Sequence, residues 1–520
     1  MKRQSDSASR TDMKKQLDWV TTVVPFVCIL LLCAAFMLSP EASGSVLASI
    51  RFFLGEELGS YYLLMGLGIF LCSLYMAFSR FGNIRLGNLE KPQYTSFQWG
   101  SMMFTAGLAA DILFYSLCEW ILYAGEPRIS ELGTVQDWAS TYPLFHWGPT
   151  AWSFYLVLAV AFGFMLHVRS REKQKYSEAC RALLGRRVDG WAGRLIDLLA
   201  VFALLAGTAT TFSLATPLLS MAISQVTGLP QSNLLTIAIL VVIGITYTVT
   251  VYFGMKGISL LAASCTWLFF ALLAYVLVLG GEPRYIIETG ITAIGNLAQN
   301  FIGLSTWTDA LRTSSFPQNW TIFYWAYWMV WCVATPFFIG SISKGRTVRQ
   351  TVLGGYFWGL SGTFTSFIIL GNYGLHLQVS GAMDLIGSYQ QTGDLYQIII
   401  TVMHSLPLPQ LGLVLLALSM IAFYATSFDA LTIVAAAYSY KKLPAGAEPH
   451  RNVKLFWAVV LMLLPIALIF SENSMNNLQT VSIIAAFPIG IVILLILASF
   501  FKDARQYLKE KEGPAQKAEP

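Results

Sequence analysis

The sequence predicts an all-α polytopic membrane protein with twelve transmembrane helices, and three observations carry that prediction. Of 520 residues, 56% are hydrophobic and only 12% charged, with a mean hydropathy of +0.60, against about 25% charged in a typical soluble domain. The apolar residues gather in stretches that match the roughly 20 helical residues a bilayer core requires. The basic residues alternate from loop to loop, as in chains whose positive loops stay in the cytoplasm. This composition excludes an ordinary cytosolic enzyme. A net charge of +5, with the Lys and Arg gathered in loops, argues against nucleic acid as a partner.

The stretches cover 18–38, 59–79, 98–124, 144–167, 195–224, 233–254, 258–280, 320–341, 350–374, 396–436, 453–471 and 477–501. The first follows a polar, charged tail unlike a signal-peptide n-region and precedes no small-residue cleavage site, so it reads as a retained helix. The third contains a run of small residues from Thr105 to Ala110, which lets a helix unwind or approach a neighbour closely. The fourth opens on Phe145-His-Trp147-Gly-Pro and continues through Trp152 to Tyr155; the eighth is the aromatic Asn319 to Trp331; the tenth carries a break near Leu406 to Pro409.

Sorting Lys and Arg over alternate loops places 29 of 33 on one side, leaving Arg51, Arg128, Arg284 and Arg312 on the other. Both termini are therefore expected in the cytoplasm. Of the 28 acids, three fall inside spans: Asp111, Glu119 and Asp429. No Lys or Arg remains in the membrane to pair with them, and an intramembrane carboxylate is a functional candidate because it is costly to bury. The basic tails and the loop from Arg169 to Arg194 are candidate contacts for anionic lipid, although such residues also serve as a plain topology signal. The seven cysteines offer no extracytoplasmic disulfide, the five His show no metal-ligand spacing, and no nucleophile motif occurs, so neither cofactor, metal site nor catalysis is expected.

At about 100° per residue, Trp320, Tyr324, Tyr327, Trp328 and Trp331 share one face of the eighth span. Rings at helix ends belong to an interfacial belt, but this stripe runs three turns into the helix. One reading is packing; the other is a cage whose negative ring faces hold a quaternary ammonium that no hydrogen bond reaches. Asp111, Tyr115 and Glu119 follow one another at four-residue steps on one side of the third span. Thr426-Ser427-Phe-Asp429 supplies hydroxyl and carboxylate oxygens of the kind a hard cation prefers. If spans 3–7 and 8–12 form two five-helix units, an odd number makes the units inverted, and inverted repeats hold substrate at their shared midplane.

These residues resemble the betaine/carnitine/choline transporter family over nearly the whole chain. The specific matches are Leu144-Phe-His-Trp-Gly-Pro149, Phe316-Pro-Gln-Asn-Trp-Thr-Ile-Phe-Tyr-Trp-Ala-Tyr-Trp328, Ile342-Ser-Lys-Gly-Arg-Thr-Val348 and Thr426-Ser-Phe-Asp429. The resemblance implies a trimer of twelve-helix protomers in the bacterial inner membrane. Each protomer would carry two peripheral helices (18–79), a LeuT-type 5+5 inverted repeat (98–280 and 320–501), an amphipathic helix (285–311) and cytoplasmic tails (1–17 and 502–520). It implies a tryptophan box at Trp147, Trp152, Tyr155 and Trp328, with Trp331 one turn further toward the cytoplasm. Tyr327 stands where the family usually has Trp, and Leu122 where carnitine exchangers have a cage tyrosine.

The stretch Gly107-Leu-Ala109-Ala-Asp111 ends on Asp, as in proton-coupled choline importers, where sodium-coupled betaine importers have Gly. Exchangers of carnitine and γ-butyrobetaine carry Arg in the seventh span, where this chain has Cys265. Yet Ser213-Leu-Ala-Thr-Pro217 and the Phe-Pro-Gln-Asn-Trp run look most like those exchangers. The resulting expectation is proton-coupled import of carnitine, betaine, choline or γ-butyrobetaine. An ion-independent exchanger, a sodium symporter using Thr426 and Ser427, and an osmotic or ligand sensor are the alternatives.

Overall fold

A computed structural model describes residues 16–106, 110–253, 255–443, 447–470 and 475–515. The described chain is almost entirely helical. Its β-pairing, among the described residues, is limited to two isolated bridges, Leu17 with Tyr440 and Arg85 with Thr347. The helices that matter below are α1 (Trp19–Leu38), α2 (Gly59–Phe78), α3 (Ser96–Ala106), α4 (Ala110–Ala124), α5 (Val135–His146), α6 (Pro149–His167), α7 (Trp191–Thr227), α8 (Asn233–Phe253), α9 (Met255–Ala274) and α10 (Pro283–Thr306). They continue as α11 (Ile322–Trp331), α12 (Thr335–Ile342), α13 (Val348–Ser366), α14 (Asn372–Val379), α15 (Leu395–His404), α16 (Pro409–Tyr438), α17 (Arg451–Phe470) and α18 (Met475–Ala515).

Among the described residues six helices are each long and apolar enough to cross a bilayer, and nine spans result when three bent pairs are each taken as one. The predicted first, sixth and eleventh stretches coincide with α1, α8 and α17. The bent pairs show where the sequence interrupts a helix. The halves α3 and α4 incline at 66° across the small-residue run, and α11 and α12 at 56° across Cys332 to Ala334. A 112° bend separates the end of the seventh stretch from α10. The tenth stretch divides as its sequence predicts, with α15 ending at His404 and α16 starting on Pro409, a residue that fits the first helical turn because its missing N–H would be unpaired there anyway.

Sequence chemistry sets the other ends as well. Thr347 and Gln350 form a reciprocal capping box at the start of α13, and α7 stops at Gly228, whose left-handed φ of 75° closes the helix. Between α5 and α6 the chain turns at Trp147-Gly148. A Cβ on Gly148 would lie 2.1 Å from the Leu144 carbonyl oxygen, so only glycine fits this turn and Trp147 is left outside a regular helix.

The Ile342 to Val348 motif is a clasp between loops. Gly345, at φ +86°, donates its N–H to the Leu86 carbonyl at 2.6 Å, and Arg346 lies over the Trp99 ring at 4.4 Å while reaching the Tyr94 and Thr95 carbonyls. At the centre α7 packs on α16 and α18, α11 on α18, and α12 on α6. Leu64, Phe78, Leu234 and Trp267 face outward and are exposed, the arrangement suited to lipid rather than water as the surrounding medium.

Candidate functional site

Four rings meet where α6 passes α11. The centroid of Trp328 lies 4.8 Å from Tyr155, 5.6 Å from Trp147 and 6.0 Å from Trp152, all at steep interplanar angles. Trp147, at the α5–α6 turn, reaches Tyr115 at 5.5 Å and Phe367 at 5.3 Å, and Tyr327 stands edge-on to it at 6.5 Å. All seven are buried. A cation binds within about 6 Å of a ring centroid, and these rings pack directly against one another at 4.8 to 6.5 Å between centroids.

Two carboxylates flank the box on α4, each with its own partners. Asp111, in the first turn of α4, accepts a hydrogen bond from the Tyr327 hydroxyl, and the Thr211 hydroxyl, with one proton to give, lies against both the Tyr327 oxygen and, at 3.5 Å, the same carboxylate oxygen. Three helices, α4, α7 and α11, therefore converge on one carboxylate, with Tyr327 joining it to the ring cluster. Two turns further along, Glu119 accepts the Trp147 indole N–H at 2.7 Å and the Tyr123 hydroxyl at 2.6 Å. Tyr123 lies 2.7 Å from Nδ1 of His146, whose Nε2 is 3.0 Å from the Thr321 hydroxyl. If Thr321 donates to Nε2 and a neutral His146 donates from Nδ1, Tyr123 keeps its proton for Glu119 and every group in the chain is satisfied.

Among the described residues, no Lys or Arg pairs with Asp111 or Glu119, and Glu119 has only His146 within ion-pair range, at 3.8 Å. Both carboxylates are buried, and their oxygens are satisfied by hydroxyl and indole donors and, at Asp111 Oδ1, by the Ile112 N–H at 3.1 Å rather than by charge, as a buried polar group requires.

The predicted aromatic stripe divides. Tyr327 and Trp328 face the box, Tyr324 stacks on His146 at 4.6 Å and 15°, and Trp320 donates to Glu126 at 2.8 Å near the outer end. Trp331 is half-buried, 6.5 Å from Tyr327 and against Gly207 of α7. Glu119 stands apart from the Asp111 cluster expected to share its role. Thr426 turns its hydroxyl back to the Ala422 and Phe423 carbonyls of its own helix, and Ser427 beside it is half-buried. From α16 the residue that extends the hydroxyl cluster is Tyr424, whose hydroxyl lies 2.8 Å from that of Thr216 on α7. Gly107, Ala109 and the side chain of Asp429 lie outside the described residues.

Comparison with known proteins bears on this arrangement. Residues 20–509 match the family model described as the betaine/carnitine/choline family transporter. The chain belongs to that family. It is therefore a multi-pass membrane transporter of a bacterial family, not an enzyme. Among its relatives, the glycine betaine transporter OpuD of Bacillus subtilis is 30% identical over 488 residues, covering 91% of this chain and 92% of that protein. A carnitine transporter of Acinetobacter baumannii is 28% identical, over 81% of this chain and 76% of its own length. The transporter YeaV of Escherichia coli is 29% identical over 83% and 90%.

Around the box the structure adds Tyr123, His146, Thr211 and Phe367, which sequence reasoning did not single out, and brings in Tyr115, which it had placed on one side of the third span with Asp111 and Glu119. His146 stood within a quoted motif, and Thr211 within the run Thr208-Ala-Thr-Thr-Phe-Ser213, whose density of hydroxyls in an apolar span was the available signal. Nothing in the sequence singled out Phe367.

Proposed function

We propose that the chain imports a small trimethylammonium compound by alternating access, with proton movement through Asp111 as the coupled step. The observation that supports this most is the buried meeting of Trp147 at the α5–α6 turn with Trp152 and Tyr155 of α6 and Trp328 of α11, with no carboxylate among the four rings. Ring faces attract a methylated ammonium at about 0.5 to 2 kcal/mol each and discriminate against small hydrated cations that a carboxylate would capture. The relatives named for carnitine and for glycine betaine fit a substrate of this class.

Asp111 is proposed for coupling because hydroxyls from two other helices meet it, so a proton gained or lost there changes how α4, α7 and α11 are joined. Glu119 is proposed to orient Trp147. In the same reading the chain has twelve spans with both ends in the cytoplasm of a bacterial cell, the halves α3/α4 and α11/α12 occupy equivalent places in a LeuT-type inverted repeat, and three copies associate.

The deciding measurement is uptake into proteoliposomes of labelled carnitine, betaine, choline and γ-butyrobetaine, driven separately by a pH gradient and by a sodium gradient. Uptake driven by the pH gradient and lost in Asp111→Asn is the expected result. A response to sodium alone identifies a sodium symporter. Acceleration only by internal substrate identifies an exchanger, and neither of those outcomes is compatible with proton coupling.

A further inference from the structure

The segment between α6 and α7 places one aromatic residue deep in the protein. Tyr176 is fully buried, its ring 5.2 Å from Phe162 of α6 and 6.1 Å from Phe337 of α12, and these two rings stack on each other at 3.8 Å. Its hydroxyl donates to the carbonyl of Cys332 at 2.5 Å. That carbonyl lies in the break between α11 and α12, and its helical partner four residues on is Pro336, which has no N–H to give. The sequence thus creates a buried orphan acceptor, and a residue 156 positions away satisfies it.

Three anchors hold Tyr176 there. Its own N–H donates to the Tyr438 hydroxyl at the end of α16, at 3.3 Å. Ser177 donates its N–H and hydroxyl to Asp197 of α7 at 3.1 and 3.0 Å. Lys175, 5% exposed, lies 3.5 Å from Asp18 and 3.7 Å from Asp197. Asp18 in turn is tied to α16 through its N–H on the Ser439 carbonyl. The segment is therefore fastened to α6, α7, α11, α12 and α16, and to the residue that opens α1.

The position matters because of what lies above it. Phe162 is two helical turns beyond Tyr155 on α6, and Cys332 is one turn beyond Trp328 on α11, both on the side of the basic loop. Tyr176 thus closes the floor one to two turns beneath the ring box.

We propose that Tyr176 is the inner plug of the substrate pathway. Its ring fills the space between α6 and α12 and its hydroxyl holds the broken α11–α12 helix in place, so release toward the basic side requires the 169–190 segment to withdraw. The plug rests on the alternating-access reading above. In the closed form a phenylalanine leaves the Cys332 carbonyl unsatisfied, whereas in the open form water satisfies it. Loss of that single bond therefore shifts the balance toward open by about two- to tenfold.

Cys332 is a native reporter. In protein retaining it as the single cysteine, reconstituted into liposomes, the rate of its reaction with a membrane-impermeant maleimide is measured from each face. Tyr176→Phe should react about two- to tenfold faster than the parent, and Tyr176→Ala, which also loses the ring, more than about tenfold faster. The acceleration should appear only from the face carrying the basic loops. Unchanged rates in Tyr176→Phe with parent-like elution on size exclusion, or equal acceleration from both faces, would overturn the plug, even if Tyr176→Ala does not fold. The labelling requires neither substrate nor gradient. Failure to take up any trimethylammonium compound therefore refutes the substrate reading while leaving this result standing.

Discussion

Replacing Glu119 separates two roles that a buried carboxylate could have. Its oxygens accept Tyr123 at 2.6 Å and Trp147 at 2.7 Å, bonds worth about 1.5 to 3 kcal/mol each when the acceptor is charged. Most of that loss in Glu119→Ala appears as reduced stability, because Trp147 and Tyr123 are buried and their donors are left without this acceptor. The share that reaches the substrate is bounded by what one ring contributes to holding a cation, about 0.5 to 2 kcal/mol. Affinity should therefore fall by about 2- to 30-fold. Glu119→Gln keeps an amide oxygen for the indole and should stay within about threefold of the parent.

The assay is binding of labelled substrate to detergent-solubilised protein, repeated in a Trp147→Phe background that has no N–H to orient. There, adding Glu119→Ala should change affinity by less than about twofold further, the non-additivity expected of residues acting through one contact. Independent, additive effects of the two substitutions would refute the orienting role. Gradient-driven uptake abolished in Glu119→Gln, with binding intact, would instead make Glu119 a coupling carboxylate.

Trp328→Ala removes the ring that touches all three other members of the box; saturable uptake should disappear while membrane expression persists, and an unchanged half-saturation concentration would remove the box from the mechanism. Tyr327→Phe deletes the hydroxyl joining Asp111 to α11 but keeps the ring, so substrate affinity should change by less than about threefold while the pH dependence of transport shifts, which parallel pH profiles of uptake would check. In the loop before α11, Asp309 is subject to burial, which pushes its pKa up, yet N–H donors from Ser314, Thr313 and Ser315 outweigh that and hold it well below the usual carboxylate range. A depressed folded-state pKa contributes stability above the unfolded value of about 3.9 that is lost only as pH falls through the folded one. Asp309→Ala should thus destabilise the protein by about 1 to 3 kcal/mol at neutral pH, and its melting temperature should approach the parent's only at strongly acid pH.

Much of the molecule could be read from the chain. The apolar stretches, the break before Pro409 and the interruption of the third span all follow from residues close in sequence, because propensity, proline geometry and hydropathy act over one or two turns, whereas the bend inside the eighth stretch was not anticipated. The absence of a cation for Asp111 and Glu119 was equally legible, since counting charges needs no coordinates. What could not be read is which side of a helix meets which neighbour. Tyr324 and Tyr327 are three residues apart on one stripe, yet one stacks on His146 and the other bonds to Asp111. The difference arises from how α11 is rotated against α4 and α5. Thr426 gives its hydroxyl proton to its own helix backbone, as a serine or threonine in a helix readily does, which directs that proton and leaves the oxygen's lone pairs outward.

The sequence alone determined a membrane-embedded helical transporter with few carboxylates, many rings and its Lys and Arg gathered in loops. Water and lipid impose those features on any chain that crosses a bilayer, so they appear in composition and spacing. Only the tertiary structure decided that Glu119 meets the Trp147 indole, that Thr211 and Tyr327 meet Asp111, and that Tyr176 reaches the carbonyl Pro336 leaves unpaired. These are contacts between groups 28 to 216 residues apart. Hydrophobic burial is non-directional and fixes only that the helices associate. The directional bonds that choose a partner exist once several helices have been brought to one place.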